Sequence, residues 1–249
     1  DLILQAPKLR WYQQWGAGAD WLLRYPEVRA HPFTLTNASG VHAIPITEHI
    51  LAYLFSFARQ LPHAIRAQLD RTWDRPERDG FSPREPIFEL YGKTLLLIGV
   101  GAIGQRTAEV ASAIGMRVLG IRREPEQGAP GVEAMYGPPD LLRVLPHAHF
   151  VVVTVPLTPE TRGLLGETEF RAMRSDAYLI NIGRGGTIDE RRLIQALRER
   201  WIAGAGLDVF EDEPLPTDSP LWNMENVILT PHYAGRTPQY EKRALDIFL

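Results

Sequence analysis

Two kinds of segment alternate along most of this chain. Short, mostly apolar runs at Leu95–Ile98, Arg117–Ile121, Phe150–Val155, Tyr178–Ile182, Gly206–Val209 and Val227–Thr230 predict strands. The strongest runs have no polar interruption, as in strands covered on both faces of a parallel sheet. Between them, Gln105–Ile114, Asp140–Leu145, Thr168–Met173 and the amphipathic Asp189–Arg200 predict helices. Regular strand–helix alternation with short connections predicts an α/β architecture built on a doubly wound parallel sheet. Upstream, Leu9–Gln14 and Phe33–Thr36 predict two further strands with a short helix, Trp21–Tyr25, between them.

Ile46–Leu61 breaks this rhythm. Apolar residues at 46, 50, 51, 53, 54, 55, 57, 58 and 61 cover most of the circumference. That pattern predicts a helix buried on several sides, between domains or between subunits, and ended by Pro62. Asp70–Leu90 is rich in Pro, Gly and charge and predicts an exposed arm, in which Trp73 and Phe81 point to docking on another surface. Glu124–Pro139 has the Gly and Pro content of a loop.

Composition narrows the classes. At 249 residues the chain is one large or two small domains. An apolar content of 45% with 23% charged residues is that of a soluble globular protein. A net charge of -3 gives no reason to expect nucleic acid or an acidic membrane surface as a partner. The apolar runs fall well short of the ~18–20 residues a membrane helix needs. A cytoplasmic location is therefore expected. The absence of cysteine excludes disulfides, thiolate metal sites and cysteine nucleophiles.

Candidate chemistry gathers at the strand ends. Gly99, Gly101 and Gly104 form a G-x-G-x-x-G turn between a predicted strand and a predicted helix, with a second strand beyond. This context seats a dinucleotide pyrophosphate on a helix N-terminus. In an open parallel sheet, ligands bind beyond the carboxyl ends of the strands. Arg184, Glu213 and His232 each stand just past such an end. Singly they read as a surface cation, a loop carboxylate and a turn histidine, but together they make a chemically complementary set. The small-residue loop Gly16–Asp20 reads as a plain turn or as an anion-binding loop. His31, His42, His49, His63, His147 and His149 are assigned no role. The His147/His149 pair reads as solvated loop, and no metal site is expected.

GVGAIG (99–104), PLTPETRGLL (156–165), NIGRGG (181–186), AGLDVFEDEPLP (205–216) and TPHYAG (230–235) together resemble the D-isomer-specific 2-hydroxyacid dehydrogenase family. GAGAD (16–20) and TEH (47–49) extend the resemblance over nearly the whole chain. It implies a Rossmann cofactor domain, residues 41–235, and a smaller flavodoxin-like substrate domain made of 1–40 and 236–249, here expected to be incomplete at both ends. The implied reaction is reversible hydride transfer between a nicotinamide and a 2-oxo acid. Arg184 would bind the substrate carboxylate and polarise its carbonyl, His232 would be the acid/base, and Glu213, the fifth residue after Asp208, would hold that imidazole. Glutamate at this position separates the chain from the family's formate dehydrogenases, which carry glutamine. Ala17 and Gly18 would hold the substrate carboxylate through backbone N–H groups. Besides the three glycines, the resemblance places Ala102, Ile103, Val155, Pro156, Thr161, Ile182, Asp208 and Gly235 at the cofactor, Asp208 on the nicotinamide carboxamide. It also implies a homodimer joined through the cofactor domain, with Trp73 reaching the neighbouring site.

The chain departs from the family pattern at one informative place. Eighteen residues after Gly104, where the family often has an aspartate for the adenosine ribose, stand Arg122 and Arg123. Arginines attract the 2′-phosphate that an acid would repel. The expected cofactor is thus NADP(H), with NAD(H) possible. The reading that follows is NADPH-dependent reduction of glyoxylate or hydroxypyruvate. The alternatives are an NAD-dependent D-2-hydroxyacid dehydrogenase, such as one acting on phosphoglycerate, and a non-catalytic dinucleotide-sensing scaffold or corepressor. Trp15, beside the GAGAD loop, either restricts the pocket or belongs to the core.

Overall fold

The computed structural model describes residues 3–18, 22, 25–73 and 87–249. Its centre is a seven-stranded, wholly parallel sheet. In chain order the strands are β3 (Thr94–Ile98), β4 (Arg117–Ile121), β5 (Ala134–Tyr136), β6 (Phe150–Val153), β7 (Tyr178–Asn181), β8 (Gly204–Leu207) and β9 (Val227–Leu229). They lie in the order β5-β4-β3-β6-β7-β8-β9. The order reverses between β3 and β6, which opens a crevice beyond their carboxyl ends.

Both faces are covered, and the strand side chains alternate between them. Leu96, Ile98, Val151, Val153 and Leu179 face one side, packed with helices α5 (Leu141–Val144), α6 (Glu167–Ala172) and α7 (Glu190–Arg198). Leu95, Leu97, Phe150, Val152, Tyr178 and Ile180 face the other, under α2 (Ala43–Ala58) and α4 (Ala102–Ala113). Phe150 is fully buried and stacks on Tyr178 at 5.4 Å between ring centroids. Phe150→Ala is expected to destabilise the fold by about 3–5 kcal/mol, read as a lower urea midpoint at unchanged m-value. A loss below 1 kcal/mol would mean that the site collapses around the smaller side chain.

Helix α2 is buried along one stripe only. Ile46, Ile50, Tyr53, Leu54, Phe57 and Ala58 face the sheet and α4, whereas Ile44 and Phe55 are exposed. It also ends earlier than its composition predicts. Gln60 takes a left-handed conformation (φ 54°), and α3 (Leu61–Leu69) begins there with Pro62 in its first turn. Proline is well tolerated in a first helical turn, whose N–H groups lack intrahelical partners. Pro62 therefore starts a helix rather than stopping one.

β5 replaces part of the predicted loop. It is a three-residue, half-buried edge strand flanked by Gly and Pro, too short for any periodicity to show. β8 begins two residues earlier than expected, in the small residues Gly204 and Ala205. His149, read as solvated loop, instead accepts a hydrogen bond at Nδ1 from the N–H of Thr94 (3.1 Å) and ties β6 to β3.

The N-terminal segment forms a second, two-stranded parallel sheet of β1 (Trp11–Gln14) and β2 (Thr34–Asn37), with the short helix α1 (Pro26–Ala30) between them. The C-terminal helix α8 (Tyr240–Phe248) packs against this unit. Phe248 stacks on Trp11 at 5.4 Å, and Ala244 is buried with Ala38 and Val41. Most of the predicted helix 21–25 and Phe81 lie outside the described residues. Trp73 is 93% exposed. Among the described residues, no helix is long and apolar enough to cross a membrane.

Candidate active site

The glycine turn sits at the crevice. Gly99 follows β3 with φ 103°, and its carbonyl accepts a hydrogen bond from the Thr154 hydroxyl beyond β6 (2.6 Å). A Cβ on Gly104 would lie 2.3 Å from the Gly99 carbonyl oxygen, so only glycine lets α4 approach the turn this closely. A Cβ on Gly101 would meet nothing within 4 Å and would project into open space beside the start of α4. That open cradle sits beside the N–H groups of Ala102 and Ile103, which have no carbonyl to pair with inside their own helix. The residues present fit an anionic pyrophosphate. Val155 lies against Gly99, since a Cβ there would be 2.9 Å from its Cγ1. The Thr161 hydroxyl donates to the Pro156 carbonyl (2.6 Å) and accepts from the Thr158 N–H (2.8 Å), closing the loop that follows β6. Ile182 is buried at the end of β7.

Arg184 follows β7 in a loop held from beneath by Asn181. This buried amide accepts from the Gly183 N–H (3.1 Å) and donates to the Arg184 carbonyl (3.1 Å). The Arg184 guanidinium donates to the Gly183 carbonyl (2.8 Å). Gly185 packs directly on the loop after β8: an added Cβ would overlap the Phe210 carbonyl at 1.9 Å. This contact sets Arg184 beside the loop that carries Glu213.

Glu213 and His232 meet. One carboxylate oxygen of Glu213, Oε1, accepts from the Phe210 N–H (3.1 Å), and the other, Oε2, is 2.6 Å from His232 Nδ1. A carboxylate partner makes Nδ1 the protonated nitrogen and leaves Nε2 free for a ligand. The backbone of His232 is left-handed, with φ 50°. Its N–H donates to the Asp208 carbonyl (2.9 Å).

Gly16 and Ala17, at the start of the GAGAD loop, lie beside this region through a series of neighbours. The Asn37 amide donates to the Ala17 carbonyl (2.7 Å), and a Cβ on Gly16 would lie 4.0 Å from the Tyr240 hydroxyl. Tyr240 stacks on His42, whose Nδ1–H donates to the Gly235 carbonyl (3.0 Å). Burial lowers the His42 pKa; the Gly235 carbonyl opposes this, and the Arg184 charge reinforces it. The arrangement combines a cradle for a dinucleotide with a guanidinium and a carboxylate-paired imidazole.

The sequence profile of the D-isomer specific 2-hydroxyacid dehydrogenase NAD binding domain matches residues 51–234. The chain belongs to the D-isomer-specific 2-hydroxyacid dehydrogenases. It is 38% identical, over 99% of its own length and 73% of the other's, to a glyoxylate reductase of Korarchaeum cryptofilum. It is 36% identical, over 98% of its length and 45% of the other's, to a D-3-phosphoglycerate dehydrogenase of Methanocaldococcus jannaschii. Among solved structures, an NADPH-dependent glyoxylate/hydroxypyruvate reductase of Sinorhizobium meliloti, in complex with NADP and sulfate, matches with a TM-score of 0.84 at 29% identity. That match covers 98% of this chain and 74% of the other.

Two features of this dehydrogenase alter the expectations from sequence. Asp208 is buried, and its carboxylate is largely engaged within its own chain. Oδ1 accepts from the Thr230 hydroxyl (2.6 Å) and the Tyr233 N–H (3.0 Å), and Oδ2 from the Ala234 N–H (3.0 Å). Four acceptor positions less three leaves one on Oδ2 for a carboxamide. Arg122 stands just past β4 and donates to Gln127 Oε1 (2.7 Å) and the Gly128 carbonyl (3.3 Å), which uses two of its five N–H groups. Arg123 is exposed. Trp15 is 53% exposed, so it is not core.

The residues missed from sequence lie behind the site: Thr154, Asn181, Tyr53 and His49. Tyr53 and His49 reach Thr230 from α2 at 2.6 and 3.0 Å. Burial lowers the His49 pKa, with Asp208 opposing, and raises that of Tyr53 well above the usual phenol value. A buried tyrosine needs a partner for its hydroxyl, which was the signal available.

Proposed function

We propose that the chain uses NADPH to reduce a small 2-oxo acid, glyoxylate or hydroxypyruvate, to its 2-hydroxy acid, of D configuration where the product carbon is stereogenic. The observation that carries this reading is the Glu213–His232 pair at the same sheet edge as Arg184 and the glycine cradle. When bound, the reduced nicotinamide supplies the hydride. Gly99, Gly101 and Gly104 with Ala102 and Ile103 hold the pyrophosphate, while Val155, Pro156, Thr161, Ile182 and Gly235 line the rest of the cofactor groove. The remaining acceptor of Asp208 takes the nicotinamide carboxamide. Arg184 pairs with the substrate carboxylate and draws charge onto the carbonyl oxygen. The N–H groups of Ala17 and Gly18 hold the same carboxylate from the other side. His232 Nε2 gives a proton to the developing alkoxide, and Glu213 stabilises the charged imidazole before the transfer.

The coenzyme preference rests on Arg122 and Arg123. A guanidinium held at the end of β4 favours a 2′-phosphate, and the glyoxylate/hydroxypyruvate reductase of similar fold was solved with NADP. kcat/KM measured with NADPH and NADH on glyoxylate should favour NADPH by at least about tenfold, the weight of one charge-assisted hydrogen bond. A ratio favouring NADH would reject the preference. It would support a second reading, NAD-linked oxidation of a D-2-hydroxy acid, which the relative named as a D-3-phosphoglycerate dehydrogenase favours. Ile44, Phe55, Leu61 and Ile65, exposed along α2 and α3, supply an apolar face for pairing two copies.

A further inference from the structure

Thr230 lies two residues before His232, and its hydroxyl meets polar groups from α2 and from the end of β8. Oγ1 is 2.6 Å from Asp208 Oδ1, 2.6 Å from the Tyr53 hydroxyl and 3.0 Å from His49 Nε2. A hydroxyl has one proton to give and two lone pairs to receive. The carboxylate can only accept, so the Thr230 proton points to Asp208. Tyr53 O–H and His49 Nε2–H must both donate to Thr230. The tautomer of His49 follows from the same count. His49 is packed edge-on against both Tyr53 (4.8 Å) and Tyr233 (5.5 Å), which fixes its ring plane. Tyr53 in turn lies on β8: a Cβ on Gly206 would come within 2.8 Å of its ring.

Asp208 passes this arrangement on to the histidine. Its carboxylate holds the N–H groups of Tyr233 and Ala234, and its carbonyl holds the N–H of His232. The left-handed backbone at His232 is a conformation that a non-glycine residue keeps only where its surroundings fix it. Hydrogen bonds in a chain strengthen one another, so two donors to Thr230 sharpen its bond to Asp208.

We propose that Tyr53 and His49 are positioning residues for His232, acting through Thr230 and Asp208. This rests on the reading of His232 as the acid/base. They touch neither substrate nor reacting atoms. They hold the loop that aims Nε2.

The test uses the full chain with Thr230→Val, Thr230→Ser, Tyr53→Phe and His49→Phe. Valine keeps the shape of threonine but removes one of the three donors to the Asp208 carboxylate and takes away the acceptor of Tyr53 and His49. Thr230→Val is expected to lower kcat for glyoxylate reduction about 10–100-fold, while the KM for NADPH stays within about twofold. Thr230→Ser restores the hydroxyl and should return kcat to within about threefold of the wild type. Tyr53→Phe and His49→Phe each remove one donor and should lower kcat about 3–10-fold, again without moving coenzyme KM. A second readout is the imidazole ¹H–¹⁵N correlation of His232, assigned by its loss in His232→Ala. It should show one Nδ1–H tautomer in the wild type and in Thr230→Ser, and a tautomer mixture in Thr230→Val. Wild-type kcat and an unchanged correlation in Thr230→Val overturn the proposal. So does a loss that serine does not restore, or one matched by an equal loss of coenzyme affinity. A wild-type protein that turns over no 2-oxo acid would reject the acid/base reading instead, and the correlation would still report on the positioning.

Discussion

Alanine at position 232 is expected to lower kcat/KM for 2-oxo acid reduction by about 10²–10⁴-fold, the range for loss of a positioned general acid. The loss should fall on kcat, because in the proposed reaction the imidazole would act on a charge that develops only as the hydride arrives. Coenzyme affinity should stay within about twofold, since the glycine cradle after β3 and the His232 loop are separate segments of the sheet edge. The 2.6 Å contact between His232 Nδ1 and Glu213 makes the assignment sharper. Glu213→Gln keeps a hydrogen-bonding partner but removes the charge that stabilises the imidazolium. It should lose less than His232→Ala. Stopped-flow measurement of the hydride-transfer step separates this effect from product release.

Arg184→Ala is expected to lower kcat/KM by about 10³-fold or more and to raise the KM for the 2-oxo acid as well. The guanidinium carries two duties at once in this account. Pairing with the carboxylate contributes in both ground and transition states, and polarising the carbonyl contributes mainly in the transition state. Lysine should recover only a small part of the loss. It offers a point charge where a planar fork is required. Steady-state kinetics on glyoxylate for the two variants, with circular dichroism to confirm folding, decides this. A kcat/KM for Arg184→Ala within tenfold of wild type would remove the residue from the site.

The sheet could be read in the sequence because its central strands are buried on both faces. Leu95–Ile98 and Phe150–Val153 have no solvent side, so neither run is broken by a polar residue. β5 escaped because three half-buried edge residues carry no period. The stripe on α2 was overread: Ile44 and Phe55 are apolar but exposed, so composition alone gave a wider buried face than packing does. At the candidate site, Arg184, Glu213 and His232 could be singled out because each follows a strand end. The support behind them could not. Tyr53 lies 177 residues from Thr230 and sits within an apolar helical pattern, where it reads as one more core ring. Asp208 was assigned to the cofactor by resemblance. Its buried carboxylate already accepts three hydrogen bonds from its own chain, a state that no local pattern in LDVFEDE records.

The configuration of the product reports whether Arg184, Glu213 and His232 act together as proposed. Hydroxypyruvate has a prochiral carbonyl, so its reduction reports the face to which the hydride is delivered, while Arg184 and His232 fix the other substituents. The full chain with NADPH and hydroxypyruvate should consume the reduced coenzyme and yield D-glycerate, resolved by chiral chromatography. L-glycerate, a racemic product, or binding of NADPH without its oxidation by any 2-oxo acid would contradict the account.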